Sequence, residues 1–142
     1  ADLRDPRRAN HVFVRQGIGR DQVARVAIAL LILSNVCSAL LGGRTVLIAA
    51  MIALLSLLYS SSRWFGRSTP VVATLNHLIG GSLHFLLGYT LFHDLDTRGL
   101  LISLFFGLVF AAGHLNQEVR DHDGDLLSGT RTSAVVFGSR RA

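Results

Sequence analysis

The 142-residue chain has no lysine, one cysteine, two prolines and only nine carboxylates. Each scarcity excludes something. With Cys37 alone no internal disulfide is possible and the redox compartment stays open. Because Cys37 lies inside an apolar run, it is expected to pack as a small hydrophobe. Charged residues make up only 16% of the chain, half of the residues are apolar, and the mean hydropathy is +0.45. An ordinary soluble domain keeps about a quarter of its residues charged, so these values exclude both disorder and a typical water-soluble domain. The first 25 residues are basic and polar and carry no apolar core of a signal peptide. The chain begins with alanine rather than methionine and stops at Arg140-Arg141-Ala142, which leads us to expect a piece of a longer protein.

What is present is a set of long uncharged gaps. Eighteen residues separate Arg25 from Arg44, 18 separate Arg44 from Arg63, 26 separate Arg67 from Asp94, and 19 separate Arg98 from Glu118. Eighteen residues of helix span ~27 Å, close to the ~30 Å hydrocarbon core of a bilayer. The fold class predicted is therefore all-α, a polytopic transmembrane helix bundle with about four full spans, in a single membrane domain over residues 1–142. Buried helices of a soluble bundle would each show a polar stripe, and Val26 to Leu41 or Val46 to Leu58 shows almost none.

With spans that alternate in direction, twelve of the 14 arginines fall on the side of the membrane where the chain begins: Arg4, Arg7, Arg8, Arg15, Arg20, Arg25, Arg63, Arg67, Arg120, Arg131, Arg140 and Arg141. Only Arg44 and Arg98 fall on the other. Arginine-rich short loops face the cytoplasm, so the richer side is predicted to be cytoplasmic. Arginines dispersed over several loops beside a membrane do not make a nucleic-acid surface, and no nucleic-acid partner is predicted.

Along the chain, Asp21 is placed to cap a first span over Val23 to Leu41, which Gly42-Gly43 closes. A second span from Thr45 to Leu58 runs into Tyr59 to Arg67, where aromatic and basic residues alternate as at a membrane interface. Ser68-Thr69-Pro70 reads as a hydroxyl cap with proline at the first position of a third span. This third span is the most polar, with Asn76, His77, His84 and Tyr89. Its Gly80, Gly81 and Gly88 are expected to let a neighbour approach closely. His77 and His84 share a face, where pairing with backbone carbonyls or polar neighbours is expected ahead of metal binding. The loop from His93 to Gly99 reads as solvated. The last span, from Leu100 to Gly113, continues without a break into His114-Leu115-Asn116-Gln117-Glu118-Val119-Arg120-Asp121-His122-Asp123-Gly124-Asp125.

Four carboxylates within eight residues at a helix end would repel one another unless a cation lay among them. Asp121 and Asp125, four apart, share a helical face with Gln117 one turn earlier. Asp123 lies about 200° round the helix from Asp121. Paired carboxylates suit Mg2+, a hard cation usually completed by water and substrate phosphate. A second pair, Asp2 and Asp5, lies on the same side of the membrane. Two acidic clusters flanking arginines suit a diphosphate held through metal ions, with guanidinium groups on its remaining oxygens.

The stretch Asn116 to Asp125, followed by Gly129-Thr130-Arg131-Thr132 and Val135-Val136-Phe137-Gly138, resembles the second aspartate-rich motif and following loop of the UbiA superfamily of intramembrane prenyltransferases. Asp2-Leu3-Arg4-Asp5 and His11 to Gly17 resemble the tail of that family's first motif, and Tyr59 to Arg67 its basic loop. The resemblance implies a fragment of a nine-helix bundle, from the end of the second helix through the sixth, with both motifs on the cytoplasmic side of a bacterial-type cytoplasmic membrane. It departs from the first motif at Ala1, where asparagine is usual, and at Ala9, where a third aspartate is usual. Gln117 stands where some members carry a further aspartate.

The implied activity is Mg2+-dependent transfer of a prenyl chain from its diphosphate to an aromatic or related lipophilic acceptor, as in quinone or other lipophilic cofactor biosynthesis. The implied roles are Asp121 and Asp125 in catalysis and metal binding, Asp2 and Asp5 as further metal ligands, and Arg15, Arg63 and Arg67 on the diphosphate. This chain alone is expected to be incomplete and inactive. The rival expectation is a non-catalytic membrane protein or ion-transporter fragment, favoured by His77 and His84 within a span. Against it, the carboxylates collect at one interface rather than at the midplane, where transport sites lie.

Overall fold

A computed structural model describes residues 16–61 and 69–138. The elements run α1 (Arg20–Ala39), α2 (Gly43–Ser61), α3 (Val72–Tyr89), α4 (Thr97–Ser128) and α5 (Ser133–Phe137), and no strand occurs among the described residues. Asp2, Asp5, Arg15, Arg63 and Arg67 lie outside them.

The N-cap of α1 falls two residues before the expected Asp21. Gly19 takes the N-cap position and its N–H donates to Gln22 Oε1 at 3.2 Å, so Asp21 sits in the first turn, where its charge favours the helix dipole. Helix α3 starts later than the proline rule suggested. Val71 precedes it at φ +63°, and the carbonyls of Thr69 and Pro70 accept from Ala73 and Val72. Pro70 therefore closes the turn before α3 instead of opening the helix. Helix α4 is capped by Asp96, whose carboxylate accepts from the Gly99 N–H at 2.7 Å and from the Tyr89 hydroxyl at 2.9 Å.

By length and composition α1, α2 and α4 are long and apolar enough to cross a membrane. Helix α3, the third expected span, has 18 residues and no charge but carries Asn76, His77 and His84, which lower its hydropathy. One loop contact nevertheless shows that it runs the length of the bundle. Arg44, at the start of α2, forms an ion pair with Asp94, in the loop between α3 and α4. The α1–α2 turn and the α3–α4 loop therefore share one end of the bundle, and α2 and α3 run antiparallel.

Packing follows chain order, α1 on α2, α2 on α3, and most extensively α3 on α4. The α3–α4 seam is close because glycines face each other. A Cβ on Gly107 would stand 2.5 Å from the Leu78 carbonyl oxygen, and one on Gly81 would stand 2.7 Å from Phe110 Cβ and 3.1 Å from Gly107 Cα. Of the three glycines expected to admit a neighbour, only Gly81 does so, since a Cβ on Gly80 or Gly88 would meet nothing within 4 Å. Phe85 stacks on Phe106 along the same seam, with centroids 5.1 Å apart.

The outside of the bundle is apolar. Val26, Leu30, Leu33, Leu47, Leu54, Leu101, Phe105 and Leu108 are all exposed, as suits a lipid-facing surface. Cys37, expected to pack as a small hydrophobe, is exposed on this apolar surface. An open groove of about 460 Å³ runs along α1 from Ile28 to Ala39, with Ala53 and Leu57 of α2 on its far wall and Asn35 its one polar side chain.

Candidate active site

The site grows out of the α3–α4 seam. Ser103, Gly107, Ala111, His114 and Glu118 are the buried residues of α4 that recur at spacings of three and four, the period of one helical face. Continued at the same spacing, that face reaches Asp121 and Asp125. Both are half-buried, whereas the Asp123 carboxylate is 83% exposed and lies 3.1 Å from His122 Nδ1. The two aspartates therefore extend the packed face of the helix, and Asp123 leaves it, as the rotation per residue requires.

At 1.5 Å per residue the 32-residue α4 is ~48 Å long, some 18 Å more than a bilayer core. Its polar section, from Asn116 onward, projects past the apolar section by about that length. Arg120 Nε stands 3.5 Å from Asp121 Oδ1, a mostly exposed pair that contributes little to stability.

Gln117 shares a helical face with Asp121 one turn on, as its spacing requires, and is exposed, whereas Glu118 is buried on the inner face. Glu118 is 4% exposed and its Oε2 accepts the Ser133 N–H at 2.9 Å. Its Oε1 lies 3.0 Å from His114 Nε2, close but without the geometry of a hydrogen bond. The His114 ring stacks on His77 of α3 at 3.8 Å with 6° between planes, and Tyr59 of α2 meets His77 edge-on at 5.2 Å. His77 Nδ1 lies 2.8 Å from the Ala73 carbonyl oxygen, and His84 Nδ1 lies 2.6 Å from that of Gly80. The two α3 histidines thus pair with backbone carbonyls, as expected of them. A line of ring contacts from Tyr59 through His77 to His114, continued by the Glu118 contacts, joins α2, α3, α4 and α5.

Helix α4 ends where Gly129 turns left-handed at φ +71°, which glycine adopts without strain. The Thr130 N–H then donates to the Asp125 carbonyl at 2.9 Å, and the Ser128 and Thr130 hydroxyls bond at 2.8 Å. The chain doubles back, so that Thr132 and Ser133 are buried while Arg131, between them and Thr130, is exposed. Among the described residues, buried side-chain atoms lacking a hydrogen-bond partner include His114 Nε2, Glu118 Oε1, Thr132 Oγ1 and Ser133 Oγ. These four lie at this one junction, whereas native interiors leave few such atoms.

Sequence reasoning missed the His114, Glu118 and Ser133 connection. The signal available was the i, i+4 spacing of His114 and Glu118, but which face of α4 packs is decided by Gly107 and Gly81, on two different helices.

Among the described residues no group of three or more His, Cys, Asp or Glu side chains is placed to hold a metal ion. Asp121 and Asp125 supply two hard oxygen donors from one face, the protein share that Mg2+ commonly takes when water and phosphate oxygens complete its shell. The donor chemistry fits that ion.

Neither curated proteins nor solved structures gave a match to the chain. The UbiA prenyltransferase family model does match it, over residues 1–142, and so covers the apolar helices and the carboxylate end of α4 together. A membrane bundle whose packing seam runs into an aspartate pair is thus matched along its whole length by one family, and the chain belongs to the UbiA prenyltransferase family.

Proposed function

We propose that the protein transfers a prenyl chain, within the membrane, from a prenyl diphosphate to an aromatic or related lipophilic acceptor. Family membership implies the prenyltransferase class and, with three apolar helices, an integral membrane protein. The observation that carries the finer reading is the face of α4. It presents Asp121 and Asp125 where the apolar seam ends, so a diphosphate bound there has its hydrocarbon chain beside lipid-like surface.

In this reading Asp121 and Asp125 hold Mg2+ on the cytoplasmic side, with Asp2 and Asp5 as further ligands and Arg15, Arg63 and Arg67 on the diphosphate oxygens. When bound, the ion neutralises charge that builds on the departing diphosphate. The arginines bind the same group and orient it, and the apolar helices exclude water from the allylic cation until the acceptor attacks. Carboxylates at one helix end, and none in the apolar section of α4, favour this reading over ion transport.

The test is to incubate the full-length protein in membranes with a radiolabelled prenyl diphosphate, a panel of aromatic acceptors and graded Mg2+. The reading predicts a prenylated lipid product that disappears with excess chelator and returns with added Mg2+. Absence of product from every acceptor, or a rate indifferent to chelator, would contradict it.

A further inference from the structure

We infer that Glu118 is a positioning residue, tethering the loop Gly129 to Thr132 so that Arg131 is presented to an anion held at Asp121 and Asp125. The inference rests on the diphosphate reading above. Arg131 is exposed, yet its backbone is fixed on both sides. Before it, the Thr130 N–H is bound to the Asp125 carbonyl at 2.9 Å. After it, the Ser133 N–H is bound to Glu118 Oε2 at 2.9 Å, in a buried contact 15 residues apart in sequence. Both anchors lie on α4, at Glu118 and at Asp125 itself, with Asp121 between them.

The Glu118 anchor is itself held. His114, one turn earlier, stands 3.0 Å from the other carboxylate oxygen, and its ring is stacked at 3.8 Å on His77 of α3. The side chain that fixes the loop is therefore placed by the packing of α3 on α4, and Glu118 needs no contact with substrate. A carboxylate nearly out of solvent at this position is otherwise costly, since burial of a charge requires compensating partners. Its compensation includes a backbone N–H, and a charge-assisted bond of that kind is among the stronger ones.

The acceptor oxygen, not the negative charge, is what the tether needs. Glu118→Gln keeps an oxygen for the Ser133 N–H, whereas Glu118→Leu keeps the volume and removes the acceptor. The first measurement is trypsin scission after Arg131 in the detergent-solubilised full-length protein, followed by mass spectrometry. Losing a bond to a charged acceptor should speed that cleavage about tenfold to a hundredfold in Glu118→Leu, whereas Glu118→Gln, which keeps a neutral acceptor, should speed it by less than about tenfold. Where Glu118→Leu does not fold, Ser133→Pro carries the test. It removes the donor at the first position of α5, where proline is tolerated, behind a Thr132 that is already extended at φ −81° and ψ 168°. Cleavage unchanged by loss of the acceptor or the donor, or equally fast in Glu118→Gln and Glu118→Leu, would overturn the tether.

The second measurement separates positioning from chemistry. Arg131→Ala and Glu118→Leu should each raise KM for the prenyl diphosphate about tenfold with a much smaller change in kcat. The double variant should be no worse than the worse single, because one residue acts through the other. Multiplying effects, or a fall in kcat at unchanged KM, would overturn the presentation of Arg131. A wild-type protein without transfer activity would overturn the proposed function and this second half with it, while the digestion result still decides the tether.

Discussion

Asp96 shows how much one loop carboxylate does in this bundle. It caps α4 through the Gly99 N–H and also receives the Tyr89 hydroxyl, and the Gly99 bond, followed by the Tyr89 bond, holds its carboxyl below the ordinary value of 3.8. Asp94 is lowered too, by its bond to Arg44 and the charge of that guanidinium. A carboxyl lowered by folding adds stability that is complete above its unfolded value and is lost as the pH falls through the folded one. Asp96→Ala should therefore lower the thermal midpoint in detergent at pH 7, and the gap to wild type should close as the pH is taken below about 3.8. A gap that stays constant well below that pH would mean the carboxylate bonds do not contribute. The sequence signalled the His93 to Gly99 loop only as solvated polar residues. The cap was not legible because Asp94 and Asp96 look alike until the start of α4 is fixed at Thr97.

At the scale of the element, α4 was the most legible part of the chain. A gap of 19 uncharged residues followed by unbroken polar helix predicted one long rod, and the rod runs from Thr97 to Ser128. The rotation of Asp123 away from Asp121 followed from residue spacing alone. What spacing could not say is which face packs, and so Glu118 was not singled out as the buried carboxylate beside Gln117. The packed face is set by Gly107 against Leu78, a backbone contact that side-chain substitution cannot relieve. Gly107→Ala should thus cost about 1–3 kcal/mol or more of stability through overpacking. Gly113→Ala, in the same helix with open space at its Cβ, should be neutral or gain up to about 1 kcal/mol. Denaturation in mild detergent distinguishes the two, and equal effects would show that the seam is looser than described.

For the whole molecule, arginine distribution and charge gaps predicted alternating spans. The Arg44 to Asp94 ion pair joins two turns at one end, as that topology requires. Single cysteines placed at Leu95 and Leu127 in a Cys37→Ser background should accordingly label from opposite sides of the membrane. Labelling from one side would overturn the alternation. Helix α3 was harder to read as a span, because its polar residues look unsuited to lipid until His77 is seen stacked on His114. The exposed apolar faces of α1 and α2 follow directly from their lack of a polar stripe.

The central claim is that the packed face of α4 becomes a diphosphate site at Asp121 and Asp125, and three single variants of the full-length protein test it most directly. Asp121→Asn, Asp125→Asn and Asp123→Asn are compared by prenyl-transfer rate across a Mg2+ titration. Loss of one preorganised electrostatic partner costs ~2.7–4 kcal/mol, roughly a hundredfold to a thousandfold in rate, whereas an exposed charge is worth ~1 kcal/mol or less. Asp121→Asn and Asp125→Asn should fall by the larger factor, and Asp123→Asn should stay within a few-fold of wild type. Three equal rates would contradict the account, because the aspartates would then be three solvated charges at a helix end.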